Sequence, residues 1–329
     1  MERISNNFIK PITYATWTKD ADIRYHSTSG GAFTEFAKAI ISEGGYVAGA
    51  QYNSDCLVEH ALVSDLEGIE RLRQSKYVQS NLNNIYKQVK EKLDEGKIVG
   101  FCGAPCQVAG LYNFLEKKEY SNLFTMDFIC RGMNSPKAFK AWLTEIEQEE
   151  NSKAKKVWFK YKDGGWKTSP KRTRVDFEDG HFKVYEGEKN LFMHGYLSSN
   201  LYIKPSCGNC ACKGLPRHGD ITFADFWGIE AKYDDDKGTS LLLINSEKGQ
   251  VYFDKIKENM EYHEKDFDDI LGGNPMFTSS VEVPENAHLF LEDLDRMSFT
   301  DALKKYGGYP VPVPLWKKVG SRIKCIIKN

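Results

Sequence analysis

The sequence predicts an α/β protein: a mixed sheet with a parallel βαβ core, helices on its faces and an antiparallel insertion. Three observations carry that prediction. Residues 97–129 read as strand, helix, strand, and such a run over about 30 residues is the span of a βαβ unit. From about 155 to 187 the texture changes to short alternating segments joined by a hairpin turn. The chain has 329 residues, 41% hydrophobic and 28% charged, enough for a substantial buried core and unlike a disordered or fibrous polypeptide.

Each element has its own local reason. After Gly30-Gly31, Phe33, Phe36, Ala37 and Ile40 recur at helical spacing until Gly44-Gly45 stops the helix. YVAGAQY and CLVEHALV are strand-like runs around the turn Asn53-Ser54-Asp55. A polar helix covers about Asn84–Leu93, with Gly96 as its break. KIVGFCG is a buried strand, Gly103-Ala104-Pro105 a loop, Cys106–Leu115 a helix and LFTMDFI the second strand. The two strands should be parallel, with the loops that follow them on one edge of the sheet. Cys106 and Cys130, distant in sequence, should meet there. A helix over about Lys137–Glu149 precedes VWFKYK, TRVDF and HFKVY, with Asp179-Gly180 as the hairpin turn. A short helix over Leu191–Leu197 leads to a cysteine cluster, and DITFADFWG and SLLLIN are further core strands. One continuous domain over 1–308 is expected, then a Pro-rich hinge and basic tail over 309–329.

Composition excludes several classes. Lys and Arg number 45 against 46 Asp and Glu, a net charge of −1, so no basic excess supports nucleic-acid binding. Mean hydropathy is −0.52, and no apolar run approaches the roughly 20 residues of a membrane helix. The first residues, MERISNNFIKPITYATW, lack the pattern of a secretory signal. The expected setting is cytoplasmic, where eight cysteines hold metal or fill core positions rather than form disulfides.

Cys207-Gly208-Asn209-Cys210-Ala211-Cys212 is the strongest metal signal, because a Cys-x2-Cys turn points two thiolates at one metal group. Alone it divides between a zinc knuckle and an iron–sulfur site. No second knuckle exists, and Cys106 and Cys130 are available from the sheet edge. His26-Ser27-Thr28-Ser29-Gly30-Gly31 before a helix is either an anion cradle or an ordinary N-cap. Ser75-Lys76-Tyr77-Val78-Gln79-Ser80 brings together a cation, a ring and hydrogen-bonding groups suited to a flavin or nucleotide, or is a plain surface loop. Asp225 and Trp227 either cover a cofactor or pack in the core. His60, His181, His194, His263 and His288 are scattered, with no hydrolase or zinc-enzyme spacing.

Together these segments resemble the coenzyme F-420 hydrogenase/dehydrogenase beta-subunit family. IRYHSTSGGAFTEFA, GGYVAGAQY, SKYVQS, VGFCGAPCQVAGL, DFICRGMNSPKAF, KDGGW, IKPSCGNC and DITFADFWGI occur in the family's order over about residues 14–245. The resemblance implies a flavin- and iron–sulfur-dependent oxidoreductase, passing electrons between a ferredoxin-like partner and a small-molecule or saccharide substrate. In bacterial members the setting is often surface polysaccharide synthesis. It assigns Ser27, Thr28, Ser29, Gly30, Gly31, Ser75, Lys76, Tyr77, Gln79 and Ser80 to FAD, with FMN the alternative. It assigns Cys106, Cys130, Cys207 and Cys210 to one [4Fe-4S] cluster, leaving Cys102 and Cys212 as spares. Many members begin with a ferredoxin-like module; here the first cysteine is Cys56, so either a separate ferredoxin-like partner supplies electrons or the chain has lost redox activity. Arg131 stands where His is usual.

Two other readings compete: a zinc-stabilised, non-catalytic module, and a redox-inactive carbohydrate-modifying protein of a polysaccharide assembly. The tail LWKKVGSRIKCIIKN carries Lys317, Lys318, Arg322, Lys324 and Lys328 beside Trp316, Val319, Ile323, Ile326 and Ile327. Such a segment can lie on the inner membrane face or dock on its own domain.

Overall fold

A computed structural model describes residues 7–310; the basic tail from 311 onward, including Cys325, lies outside the described residues. Eight strands form one mixed sheet: β1 (Asn7–Thr18), β2 (Tyr46–Tyr52), β3 (Val58–Val63), β4 (Val99–Cys102), β5 (Leu123–Phe128), then β9 (Ile221–Asp225), β10 (Ser240–Ser246) and β11 (Met260–Lys265). Between β5 and β9 the chain makes a separate antiparallel sheet of β6 (Ala154–Phe159), β7 (Arg172–Phe177) and β8 (Phe182–Glu186). The large sheet runs β11-β1-β10-β9-β5-β4-β2-β3, and the pairs β2–β4, β4–β5 and β5–β9 are parallel. The mixed sheet, its parallel core and the antiparallel insertion are thus as the sequence predicts.

The middle parallel strands β4 and β5 are buried on both faces, which explains their mostly apolar composition, broken in β5 only by the buried Thr125 and Asp127. Along β2, Val47 packs into the layer made by the helices Ala32–Ser42 and Glu247–Ile256, while Ala48 faces Ile85–Asp94 and Pro105–Phe114. Gly100 on β4 permits the first layer to sit close, since a Cβ there would stand 2.5 Å from Ile40 Cδ1. A third core joins the helix Pro136–Glu150 to the small sheet through Trp142, Phe159 and Phe192.

Two strands of the large sheet carry no strand signal in the sequence. β1 is interrupted by Pro11, and its register with β10 shifts between Asn7 and Ile12. β11 is an edge strand, MEYHEK, paired on one side only and largely exposed. Charge on such an edge discourages further strand pairing and erases the apolar alternation. Among the described residues no helix is long and apolar enough to cross a membrane.

Candidate functional site

The carboxyl ends of β2, β4, β5 and β9 open into a cavity of about 590 Å³. Parallel strands place their following loops on this edge, the usual ligand crevice of open α/β sheets. The volume lies within the roughly 300–1,000 Å³ of small-ligand sites.

The two loops singled out in the sequence meet here. Ser27, Thr28, Ser29 and Gly31 line the cavity from one side, and Ser75, Lys76, Tyr77 and Ser80 from another. Thr28 Oγ1 accepts a hydrogen bond from the Ser75 amide at 2.8 Å, joining them directly. Gly31 is left-handed (φ 89°) and caps the helix Ala32–Ser42, whose first turn also lines the cavity. Gly30 stands behind the wall: a Cβ there would meet Thr16 O at 2.4 Å, so its smallness serves packing. Gln79 does not line the cavity; its backbone amide donates to Asn134 O.

Lys76 has a clear structural task. Its Nζ donates to the carbonyls of Arg71, Leu72, Arg73 and Gln74 at 2.8–3.3 Å, satisfying the end of the helix Leu66–Leu72. Burial, with the Lys156 charge adding to it, pushes its pKa down to about 7.

Sequence reasoning gave no role to His60, Gln107 or Lys160, all of which line the cavity. The His60 Nε2 lies 3.1 Å from Cys102 O, an acceptor, so Nε2 carries the proton and Nδ1 accepts from Ser80 Oγ at 2.8 Å. Gln107 Nε2 then donates to Ser80 Oγ at 2.9 Å. Burial pushes the His60 pKa down to about 4, keeping it neutral. Lys160 pairs with Asp225, and both are almost wholly buried. No local pattern in VWFKYK distinguishes this lysine from an exposed strand residue. Asp225 and Trp227 were legible only as a cofactor-or-core alternative; both line the cavity.

Beside it lies a smaller cavity lined by Cys106, Cys130, Cys207, Cys210 and Cys212. The structure therefore gathers the four cysteines expected from β4, β5 and the Cys-x2-Cys turn, and adds Cys212. Cys102 faces the large cavity instead. Burial, with Cys106 next, pushes the Cys130 thiol up to about 12; burial and then Cys210 take Cys212 up to about 11. Cys106 lies at the exposed mouth, and desolvation of its thiol, followed by Cys210 and Cys207, also raises its pKa. Thiols that oppose one another's ionisation in this way suit a cationic metal group, which relieves the opposition by taking them as thiolates. Arg131, Lys213 and Arg217 also line it, positive groups beside the thiols. Among the described residues no three His, Cys, Asp or Glu side chains form a site for a single metal ion.

The loop Cys130–Met133, immediately after β5, lines both cavities. Fold and site together define an α/β protein with a strand-end ligand cavity sharing a wall with a cysteine nest. The chain belongs to the family described as the C terminus of the coenzyme F420 hydrogenase/dehydrogenase beta subunit, which matches residues 96–270. It is thus a redox module of the hydrogenase and dehydrogenase beta-subunit type. A chain of the F420-reducing [NiFe] hydrogenase complex from Methanosarcina barkeri, solved in a xenon derivatization study, has a similar fold. The TM-score is 0.55 at 16% identity, over 93% of this chain and 95% of that one. No curated protein matches the sequence significantly.

Proposed function

We propose that this chain is a flavin- and iron–sulfur-dependent oxidoreductase, with FAD or FMN in the large cavity and one [4Fe-4S] cluster in the cysteine nest. The observation that carries the reading is the shared wall: Cys130, Arg131, Gly132 and Met133 face both cavities, so two redox groups held there would be neighbours. Cys106, Cys130, Cys207 and Cys210 are the proposed ligands, with Cys212 within reach of the same cavity. Thiolates spread around a cavity suit a multi-iron cluster better than one zinc ion, because each ligand serves a different iron. The flavin would supply the conversion between one-electron and two-electron transfer. The cavity-lining part of the Ser27–Gly31 loop and the first turn of the helix Ala32–Ser42 would hold its phosphate, and Tyr77 and Ser75 would lie beside its ring.

Cys106 at the exposed mouth suits an electron-transfer partner that docks over the cluster. A ferredoxin-like protein fits that role, and the complex containing the M. barkeri chain is a precedent for partner subunits. The substrate side is the open part of the large cavity, sized for a small molecule or saccharide, in keeping with surface polysaccharide synthesis. Anaerobic purification with assays of iron, acid-labile sulfide, zinc and flavin tests the reading. Iron and sulfide in equal amounts with bound flavin are expected; a colourless, zinc-loaded protein would refute it.

A further inference from the structure

Lys160 is the first residue after β6, and its backbone is left-handed, with φ 55°. A non-glycine residue held there is strained, and strain of this kind persists where surrounding contacts over-determine it. Three contacts do so. Its ammonium pairs with Asp225, the last residue of β9, and lies 5.5 Å from the Tyr77 ring centre and 5.3 Å from that of Trp227. Trp227 in turn stacks on Trp166 from the small-sheet segment, 4.3 Å apart and within 5° of parallel. Both members of the ion pair remain in the cavity wall. Burial disfavours the ammonium, but Asp225 and then Tyr77 outweigh it and raise its pKa, so the charge is permanent at neutral pH.

A tie between the two sheets would not need a charge at the cavity. Lys162, two residues on, already makes one: its Nζ donates to Arg24 O and Ser29 O, each at 2.6 Å, and to Lys237 O at 2.9 Å. The same stem therefore grips the serine-rich loop with one lysine and presents a second to the ligand space.

Resting on the flavin reading above, we propose that Lys160, aimed by Asp225, is a positioning residue that favours the reduced, negatively charged flavin ring over the oxidised, neutral one. Two electrons and one proton turn the neutral ring into a monoanion, and a fixed ammonium lowers the free energy of that anion selectively. Asp225 holds the ammonium in place and partly compensates it. The two members of the pair thus pull the ring's reduction equilibrium in opposite directions.

The test is the flavin midpoint potential in full-length Lys160→Gln, Asp225→Asn and the double variant. Each is loaded with FAD and titrated anaerobically with dithionite as electron donor, water supplying the proton. Lys160→Gln should lower the reduced-to-oxidised ratio at least tenfold, which for a two-electron couple is about 30 mV. Asp225→Asn, which uncovers the cation, should raise it, and Lys160→Arg should stay near the parent. Each single substitution leaves one buried charge uncompensated and can harm folding. The double variant, neutral at both positions, keeps the comparison interpretable and should lie between the singles. A purely structural pair would move both single variants the same way or leave the potential unchanged, and either outcome overturns the inference alone. A parent protein that takes up neither FAD nor FMN overturns the flavin reading itself, and the inference with it.

Discussion

Asp127→Ala should unfold the junction between the parallel core and the cysteine nest. Asp127, on β5, is fully buried, and its Oδ1 accepts from Thr222 Oγ1 at 2.6 Å and from Arg217 Nη2 at 2.9 Å. Its Oδ2 accepts from the Gly219 amide at 3.1 Å. One carboxylate thereby fixes the start of β9, the strand beside it, and balances a guanidinium that lines the cysteine cavity. The Ala variant leaves Arg217 its bonds to the Phe128 and Cys212 carbonyls but removes the buried counter-charge. Breaking a buried pair by deleting one partner costs about 3–5 kcal/mol. At a few degrees per kcal/mol for a chain of this size, the melting temperature should fall by roughly 10 °C. Asp127→Asn keeps the shape and part of the bonding, so it should fall less. Thermal melts of anaerobically purified protein, with iron measured on the same samples, decide the matter. Iron content should fall with stability, since Arg217 and the backbone of Cys212 move together. An Ala variant melting within a degree or two of the parent would refute the reasoning, as would iron loss without any change in melting.

Ser at Cys106, Cys130, Cys207 or Cys210 should sharply lower iron and sulfide per chain, measured after anaerobic purification, whereas Ser at Cys102 or Cys56 should not. If Cys212→Ser empties the nest and Cys106→Ser does not, the ligand set must be revised. Lys76→Ala should reduce bound flavin several-fold by freeing the helix end that shapes the Ser75–Ser80 loop, while Lys87→Ala, on an exposed helical face, should leave it unchanged. His60 titrates near 4 when folded and near 6.5 when unfolded. Stability should therefore be intact above about pH 6.5 and decline by up to about 3 kcal/mol as pH falls towards 4, at about 1.36 kcal/mol per pK unit. Urea denaturation across that range should show a shallower slope for His60→Gln, and equal slopes would remove His60 as the cause. Stopped-flow absorbance should show faster flavin reduction by a reduced ferredoxin than by NADH alone; the reverse order would argue for a self-sufficient enzyme.

The parallel core was legible because its strands are buried on both faces. IVGFC and LFTMDFI are apolar apart from Thr125 and Asp127, and Gly103 and Pro105 punctuate the crossover. β1 and β11 escape the same logic for opposite reasons. β1 is central, but Lys10 and Pro11 fall where its register shifts, so its pattern breaks at the point where a reader needs continuity. β11 is regular but half-solvated, and its glutamates and lysine read as loop. In both cases the strand is decided by a partner far along the chain, β10 for β1 and β1 for β11, rather than by local composition.

The candidate site divides along the same line. Cys106 and Cys130 could be brought together from sequence because two parallel strands joined by a helix leave both following loops on one edge. The Cys207–Cys212 turn advertises itself by spacing. Lys160 does neither: its partner Asp225 lies 65 residues away, and what distinguishes it, a left-handed backbone and a buried ammonium, exists only once two sheets are packed. The same holds for His60, whose tautomer depends on Cys102 O from the next strand but one. Loop chemistry encoded in contiguous residues survives reading in one dimension, whereas charges and tautomers set by packing do not. Residues of the second kind are where a shared fold can be tuned to a different substrate without altering the motifs that identify the family.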